Sequence, residues 1–109
     1  MTFATQYENP GPAREAVDAL QGPVLVEFGT PWCGFCRAAQ PRISAALEGH
    51  PGVRHVKVED GPGRRLGRTF RVKLWPTLVL MKDGQVIDTL VRPHDADEIA
   101  AGLDRIDPR

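Results

Sequence analysis

Little in the bulk composition of this sequence points to nucleic acid or metal as a partner. Lysine and arginine total 14 and aspartate and glutamate total 14, so the net charge is zero and no bulk field favours nucleic acid. The three histidines show no ligand-pair spacing, so the residues predict no metal site. Two cysteines are too few for a fold stapled by disulfides. The function must therefore be sought in a local stretch of the chain.

Long apolar runs are also missing. No stretch is long enough to span a bilayer, and the start Met1-Thr2-Phe3-Ala4 has neither the basic region nor the apolar run of a signal peptide. We therefore expect a cytoplasmic protein with no membrane partner. The 109 residues suffice for one hydrophobic core, which predicts a single domain over residues 1–109.

One stretch, Trp32-Cys33-Gly34-Phe35-Cys36, holds both cysteines of the chain. It follows a short apolar run rich in β-branched residues, 24–28, which predicts a buried parallel strand. It leads into a helical pattern that runs from Gly34 to about Glu48 and is stopped by Gly49. The cysteine pair is therefore expected where a strand passes into the N-terminus of a helix.

This position favours redox chemistry of the two thiols. A helix N-terminus presents unpaired N–H groups and the positive end of the helix dipole, and both stabilise a thiolate. Because the thiolate is the attacking species in disulfide exchange, Cys33 is the candidate nucleophile. Cys36 follows on the same face and can attack a mixed disulfide at Cys33 to release the product. The alternatives are a structural disulfide, which gains little from so short a loop, and a zinc site, which needs two further ligands.

The rest of the chain predicts alternating strands and helices. Beginning with a short edge strand over residues 2–7, the expected order is β-α-β-α-β-α-β-β-α. The second helix contains Pro41, and an antiparallel hairpin turns at Lys82-Asp83-Gly84-Gln85. Asp95 and Glu98 predict a capping box for the last helix. We therefore predict an α/β fold with a mixed sheet and helices on both faces, and assign the histidines no role.

Together these features resemble the thioredoxin family over nearly the whole chain. The residues that carry the resemblance are Trp32-Cys33-Gly34-Phe35-Cys36, Pro41, Lys57, Trp75-Pro76-Thr77 and Lys82-Asp83-Gly84. The resemblance implies a thioredoxin fold, with a central mixed sheet of four or five strands flanked by four helices. It also implies thiol–disulfide exchange without a bound cofactor, with Cys33 as the nucleophile and Cys36 as the resolving thiol.

The resemblance assigns further roles near the cysteines. Pro76 matches the family's cis-proline, which would leave the backbone of Trp75 free to pair with a substrate peptide. The alternative is a proline that merely begins an edge strand. Glu27 matches the family's buried carboxylate, which can accept the proton of Cys36 during resolution, and Lys57 matches its usual neighbour. The alternative is a structural ion pair between Glu27 and Lys57.

The chain also departs from the family pattern. Phe35 replaces a proline and adds a backbone N–H that we expect close to the Cys33 sulfur, and Glu27 replaces an aspartate. Arg92 stands where the family commonly has glycine in a loop of the substrate groove. The expected substrate-binding residues are Trp32, Gly34, Phe35, Trp75, Pro76 and Arg92.

The resemblance therefore implies a monomeric cytoplasmic enzyme that reduces disulfide-containing proteins. A thioredoxin reductase-like enzyme is expected to recycle it. One alternative is an oxidising or isomerising relative that works outside the cytosol. The other is a non-catalytic binding module that docks on an acidic partner through the basic face of residues 64–73.

Overall fold

The computed structural model describes residues 3–108 of the chain. Four helices and four strands alternate along it: α1 (Arg14–Asp18), β1 (Pro23–Gly29), α2 (Gly34–Glu48), β2 (Arg54–Glu59), α3 (Arg65–Thr69), β3 (Thr77–Lys82), β4 (Gln85–Val91) and α4 (Ala96–Ile106). Every predicted element from the first helix onward is present. Within the described range, no helix combines the length and the apolar character needed to cross a membrane.

The strands form one mixed sheet in the order β2-β1-β3-β4. β1 pairs in parallel with β2 and antiparallel with β3, and β3 pairs antiparallel with β4. A parallel pair needs a crossover, which α2 supplies between β1 and β2. The predicted α/β class is confirmed, with four strands and four flanking helices.

The edge strand predicted over residues 2–7 is wrong where the structure describes it. Residues 3–7 form no strand, and residue 2 lies outside the described range. Instead, Glu8 makes one parallel bridge to β2: its N–H donates to the Lys57 carbonyl at 2.8 Å, and its carbonyl accepts from the Glu59 N–H at 3.1 Å. Pro10 has no N–H with which to extend this ladder. Residues 3–8, which we term the N-terminal segment, are thus anchored on β2 through Glu8.

Alternation along β1 divides its side chains between two cores. Val24, Val26 and Phe28 pack with apolar residues of α1 and α3 on one face. Leu25 packs with apolar residues of α2 and α4 on the other face. Glu27 lies two residues after Leu25, so the pleat directs its carboxylate to the α2 face, and the residue is fully buried.

Helix α4 begins at a capping residue that the sequence identifies. The Asp95 side chain accepts the Glu98 N–H at 2.9 Å, as expected. Glu98 Oε1 accepts the N–H of His94 at 3.0 Å rather than that of Asp95. The first half of the predicted capping box is therefore confirmed, and the reciprocal half moves one residue upstream.

His50 joins the end of α2 to the end of α4. Its Nε2 lies 2.9 Å from Asp104 Oδ1 and its Nδ1 lies 2.8 Å from Asp107 Oδ2. The ring is buried, and it satisfies both carboxylates when both nitrogens carry hydrogen. The sequence analysis assigned His50 no role, whereas the structure gives it a structural one, because its imidazole links the end of α2 to the end of α4.

His50→Ala should lower the free energy of unfolding by roughly 1–3 kcal/mol, because it removes two hydrogen bonds and opens a cavity. Urea unfolding followed by circular dichroism measures the change. His94→Ala is the matched control, because His94 is exposed, and it should unfold like the unmodified protein. Equal stability of the two variants would contradict the role of His50.

Candidate active site

Cys33 occupies the N-cap position of α2. Its Sγ accepts the N–H of Cys36 at 3.3 Å, so the sulfur faces the first turn of the helix. Both thiols are free. Cys33 is 8% exposed and Cys36 is 0% exposed, which is the order predicted for an attacking and a resolving thiol. Cys33 is less open than expected, since the exposed surface next to it belongs mainly to Trp32 (70% exposed) and Phe35 (60% exposed).

The backbone donor expected from Phe35 is supplied by Cys36 instead. An N-cap side chain accepts from the second or third N–H of the helix, and in α2 the third one is used. The ring of Phe35 has a different contact: the guanidinium carbon of Arg92 lies 4.0 Å from its centroid. Phe35 therefore contributes to the site through the contact of its ring with Arg92 rather than through its backbone N–H.

Cys36 lies in a tight, dry position. The pKa of Cys36 is raised to about 12, first by burial and next by a hydrogen bond to Cys33, while a backbone hydrogen bond from Thr30 acts in the opposite direction. Gly29 makes this position possible, because a Cβ there would lie 2.6 Å from Cys36 Sγ. Since resolution requires the thiolate of Cys36, this cysteine needs a group that takes its proton.

Glu27 heads a buried polar network under α2. Its Oε1 lies 2.8 Å from His55 Nε2, and its Oε2 accepts from Gln40 Nε2 at 2.9 Å. The same Gln40 amide donates to the carbonyl of Cys36 at 2.7 Å. Gln40 therefore links the carboxylate to the backbone of the resolving cysteine.

The tautomer of His55 follows from the N-terminal segment. The N–H of Ala4 donates to His55 Nδ1 at 2.8 Å, so Nδ1 is the unprotonated nitrogen. Nε2 then carries the hydrogen and donates it to Glu27. The side chain of His55 is fully buried and belongs to the site, although the sequence analysis assigned it no role. Each side-chain oxygen of Glu27 thus has a hydrogen-bond partner, one from His55 and one from Gln40.

Lys57 reaches this network by way of Gln40. Its Nζ donates to Gln40 Oε1 at 2.6 Å and to the carbonyl of Ala4 at 3.4 Å. Burial lowers the pKa of Lys57, and the nearby Glu27 charge partly offsets that. The alternative, a direct ion pair between Glu27 and Lys57, does not occur in residues 3–108, where Glu27 instead accepts hydrogen bonds from His55 and Gln40. The β-strand register still places Glu27 opposite Lys57, so the prediction was right about proximity.

The predicted cis-proline is confirmed, since the Trp75–Pro76 peptide bond is cis. The Trp75 indole N–H donates to Asp60 Oδ2 at 2.9 Å, and its ring meets that of Trp32 edge-on at a centroid distance of 5.7 Å. The Trp75 carbonyl accepts from Arg92 Nε at 2.8 Å. The expectation that the Trp75 backbone is free for a substrate is therefore wrong for its carbonyl, because a side chain of the same protein already occupies one of its lone pairs.

Arg92 adopts the left-handed backbone conformation, with φ at 50°, that glycine adopts most readily. Its N–H donates to the Pro76 carbonyl at 2.9 Å. Together with the Nε bond to Trp75 and the contact with Phe35, this fixes the arginine at the edge of the site. Trp32 thus contacts Trp75, Trp75 contacts Arg92, and Arg92 contacts Phe35. These contacts connect the two residues that flank Cys33 and Gly34 in the sequence.

A groove of about 430 Å³ opens beside this ring of contacts. Its walls are mainly apolar, and its charged or titratable side chains are Arg42, Arg92 and His94. Phe35 and Pro76 also line it, whereas Gly34 has open space where a Cβ would be. A cavity of about 340 Å³ on another side is lined by Tyr7, Gln40 and Lys57 and brings the buried network towards solvent.

Three residues of the site were missed by the sequence analysis: Tyr7, Gln40 and His55. Alternation in β2 could have found His55, because it lies two residues before Lys57 and therefore on the same face. Helical spacing could have found Gln40, one turn after Cys36. Tyr7 gave no signal, since the N-terminal segment has no regular structure.

A mixed sheet with a dithiol at its strand-to-helix junction and a cis-proline loop nearby defines a thiol–disulfide oxidoreductase. The free thiols, the N-cap hydrogen bond and the buried carboxylate network supply what this class of protein requires. In residues 3–108, no group of three or more His, Cys, Asp and Glu side chains could hold a metal ion.

Comparison with known proteins defines the family. The family model for thioredoxin matches residues 7–105. The structure of reduced thioredoxin 2 from Pseudomonas aeruginosa is similar with a TM-score of 0.84 and 51% identity, covering 94% of each chain. Thioredoxin 1 of Synechococcus elongatus is 34% identical over 84 residues, which are 76% of this chain and 78% of that protein. The chain belongs to the thioredoxin family.

Not every relative is matched over its full length. Thioredoxin Asp f 28 of Aspergillus fumigatus is 37% identical over 70 residues, which are 64% of this chain and 65% of that protein. The chain thus spans slightly less than two thirds of that relative.

Proposed function

We propose that the whole protein reduces disulfides of other proteins in the cytoplasm, through Cys33 and Cys36. The observation that supports this best is the asymmetry of the two thiols. Cys33 caps α2 and keeps some exposure, whereas Cys36 is fully buried behind it. A substrate can therefore meet Cys33 first, and Cys36 acts only once the substrate is attached.

The reaction has two exchanges. The Cys33 thiolate attacks one sulfur of the substrate disulfide, forming a mixed disulfide while the other substrate sulfur leaves as a thiolate. Cys36 then loses its proton and attacks the Cys33 sulfur, so that the Cys33–Cys36 disulfide forms and the second substrate thiolate leaves. The substrate gains two electrons and the protein loses two.

Glu27 is the proposed acceptor of the Cys36 proton. It is the buried carboxylate linked through Gln40 to the Cys36 backbone, and its charge interacts with the Cys36 thiol. Lys57 and His55 act on Glu27 rather than on the substrate, since both hold the network in place. A carboxylate oxygen close to the thiol can serve as the base that accepts this proton.

The oxidised protein must then be reduced. We propose a thioredoxin reductase-like enzyme as the source of electrons and a monomer as the working form, with no cofactor beyond the cysteine pair. Trp32 and Phe35, with the half-buried Trp75 against Trp32, supply the apolar surface on which substrates and the reductase would dock, because exposed aromatic rings favour such contacts.

Insulin reduction tests this function. With dithiothreitol as the electron source, the protein should accelerate the precipitation of insulin chains, and Cys33→Ser should not. No acceleration by the unmodified protein with both thiols free would contradict the proposal and favour a binding module. Equilibration with glutathione separates reducing from oxidising roles. A couple as oxidising as the strongest thiol oxidants, at roughly −120 mV, would favour the oxidising alternative.

Arg92 should favour substrates with acidic residues next to the disulfide. The groove beside Cys33 carries Arg42, Arg92 and His94, so charge complementarity should speed association at low salt. Arg92→Gly should reduce the preference for acidic over basic peptide disulfides by roughly two- to fivefold, because the charge is partly exposed.

Rates on matched acidic and basic peptide disulfides at two salt concentrations measure this preference. Arg68→Gln is the charge-matched control, since Arg68 is exposed on α3 away from the groove, and it should keep the preference. The reduction of small neutral disulfides should be spared in both variants. An unchanged ranking in Arg92→Gly would remove this residue from substrate selection.

A further inference from the structure

The resolving cysteine has a neighbour from a distant part of the chain. The hydroxyl of Tyr7, in the N-terminal segment, lies on the same side of Gly29 as the Cys36 sulfur, and an interaction with the Cys36 side chain is among the causes that raise the pKa of Tyr7. Gly29 lies next to both groups: a Cβ at this position would lie 2.6 Å from Cys36 Sγ and 3.3 Å from the Tyr7 hydroxyl oxygen. The hydroxyl and the sulfur therefore meet over the backbone of Gly29.

The position of Tyr7 is fixed from both sides. The next residue, Glu8, is held on β2 by two backbone hydrogen bonds. The Lys57 Nζ lies 4.6 Å from the centroid of the Tyr7 ring, which is a cation–π contact. The ring is thus held between the ammonium of Lys57 and the sulfur of Cys36, and its hydroxyl has little freedom to turn away.

The hydroxyl remains a donor throughout the reaction. Burial raises the pKa of Tyr7 above its usual range, and the charges of Glu27 and the two cysteines act in the same direction. An O–H that stays protonated can donate to a sulfur in either protonation state. It stabilises a thiolate more than a thiol, because hydrogen bonds to charged acceptors are the stronger class.

We propose that Tyr7 is a positioning residue for the resolving step, and that its O–H stabilises the thiolate of Cys36 as that thiolate attacks the mixed disulfide at Cys33. This proposal rests on the proposed function, because it concerns the second exchange of that reaction. The bonds made and broken are those of that exchange: the Cys36–Cys33 bond forms, the Cys33–substrate bond breaks, and the proton of Tyr7 stays on its oxygen. We expect Tyr7 to leave the first exchange unchanged, because its hydroxyl lies beside Cys36, the thiol that acts only in the second exchange.

Tyr7→Phe tests the proposal, because it removes the hydroxyl and keeps the ring over Lys57. Reduced protein is mixed rapidly with a peptide disulfide, quenched in acid and analysed by mass spectrometry for free protein, mixed disulfide and oxidised protein. We expect the first exchange to keep its rate and the second to slow about tenfold, the size of one hydrogen bond to a charged group. The mixed disulfide should therefore accumulate.

Thr89→Val is the matched control. It also removes one hydroxyl, but from an exposed residue of β4 outside the site, so both exchanges should keep their rates. Equal lifetimes of the mixed disulfide in Tyr7→Phe and in the unmodified protein would overturn the proposal. So would equal slowing of both exchanges, which would indicate a general structural effect.

The proposed function can fail separately. If the unmodified protein forms no mixed disulfide with the peptide, the exchange reaction itself is refuted, and the assignment of Tyr7 falls with it. If the unmodified protein completes both exchanges and Tyr7→Phe completes them equally fast, only the role of Tyr7 is refuted.

Discussion

Replacing Cys33 with serine should abolish disulfide exchange, whereas Cys36→Ser should still attack its target and then stall as a mixed disulfide. The reason is the geometry of the two thiols. Cys33 is the partly exposed cap of α2, and Cys36 is fully buried behind it. Removing the resolving thiol leaves the first exchange possible and the second impossible.

Mass spectrometry after incubation with a peptide disulfide measures both outcomes. The Cys36→Ser protein should gain the mass of one peptide thiol, and reduction should remove it. The Cys33→Ser protein should remain unmodified under the same conditions. Stable adducts on Cys36 in the Cys33→Ser protein would reverse the assignment of the two roles.

Glu27→Gln should slow the second exchange about 10- to 100-fold and leave the first nearly unchanged, the range expected for loss of a general base. The carboxylate accepts hydrogen bonds from His55 and Gln40, and an amide at this position cannot take up the Cys36 proton. Its NH₂ group would also face a donor, either the Gln40 amide or the His55 ring.

The pH dependence of the second exchange separates a proton acceptor from a structural residue. Burial raises the pKa of Cys36 to about 12, so without a base the reactive thiolate is a small fraction that grows with pH. In Glu27→Gln the rate of resolution should therefore rise about tenfold for each pH unit through the neutral range. The unmodified protein should show a shallower rise, because Glu27 takes the proton.

Glu48→Gln is the matched control for this experiment, because it makes the same change at an exposed position near the end of α2. It should leave both exchanges and their pH dependence unchanged. Urea unfolding of both variants shows whether a slower reaction reflects loss of structure. If Glu27→Gln slowed both exchanges equally, or neither, Glu27 would be a structural residue.

Much of the fold follows from local signals. The apolar run before Trp32 and the helical spacing after it predict β1 and α2, and both form with Cys33 between them. Asp95 starts α4 because its carboxylate accepts an N–H that the helix leaves unpaired. These signals act over a few residues and are therefore visible in one sequence.

The partners of Glu27 depended on long-range geometry. An acid in an apolar strand predicts a buried carboxylate, but only the register of β1 and β2 and the packing of α2 determine which groups reach it. The sequence suggested Lys57, and the structure gives His55 and Gln40, with Lys57 one hydrogen bond further away. Several side chains lie near the Glu27 carboxylate, and only the tertiary structure determines which of them come within hydrogen-bond distance of it.

The N-terminal segment illustrates the same limit. Its composition predicted a strand, but its backbone makes one bridge at Glu8, while Tyr7 and Ala4 reach Cys36 and His55. Nothing periodic marks such a segment, so its contribution to the site emerges only with the tertiary structure. Arg92 adopts a left-handed backbone conformation that the sequence analysis did not predict, although it noted that the family commonly has glycine at this position.

Limited alkylation of the reduced protein tests the central claim most directly. That claim is that Cys33 is the attacking thiol and Cys36 is the buried resolving thiol. The protein is treated at neutral pH with less than one equivalent of iodoacetamide, and the modified cysteine is located by peptide mapping. The structure predicts that the label is found on Cys33 and that Cys36 remains free until the protein is unfolded. Labelling of Cys36 at an equal or higher rate would contradict the account.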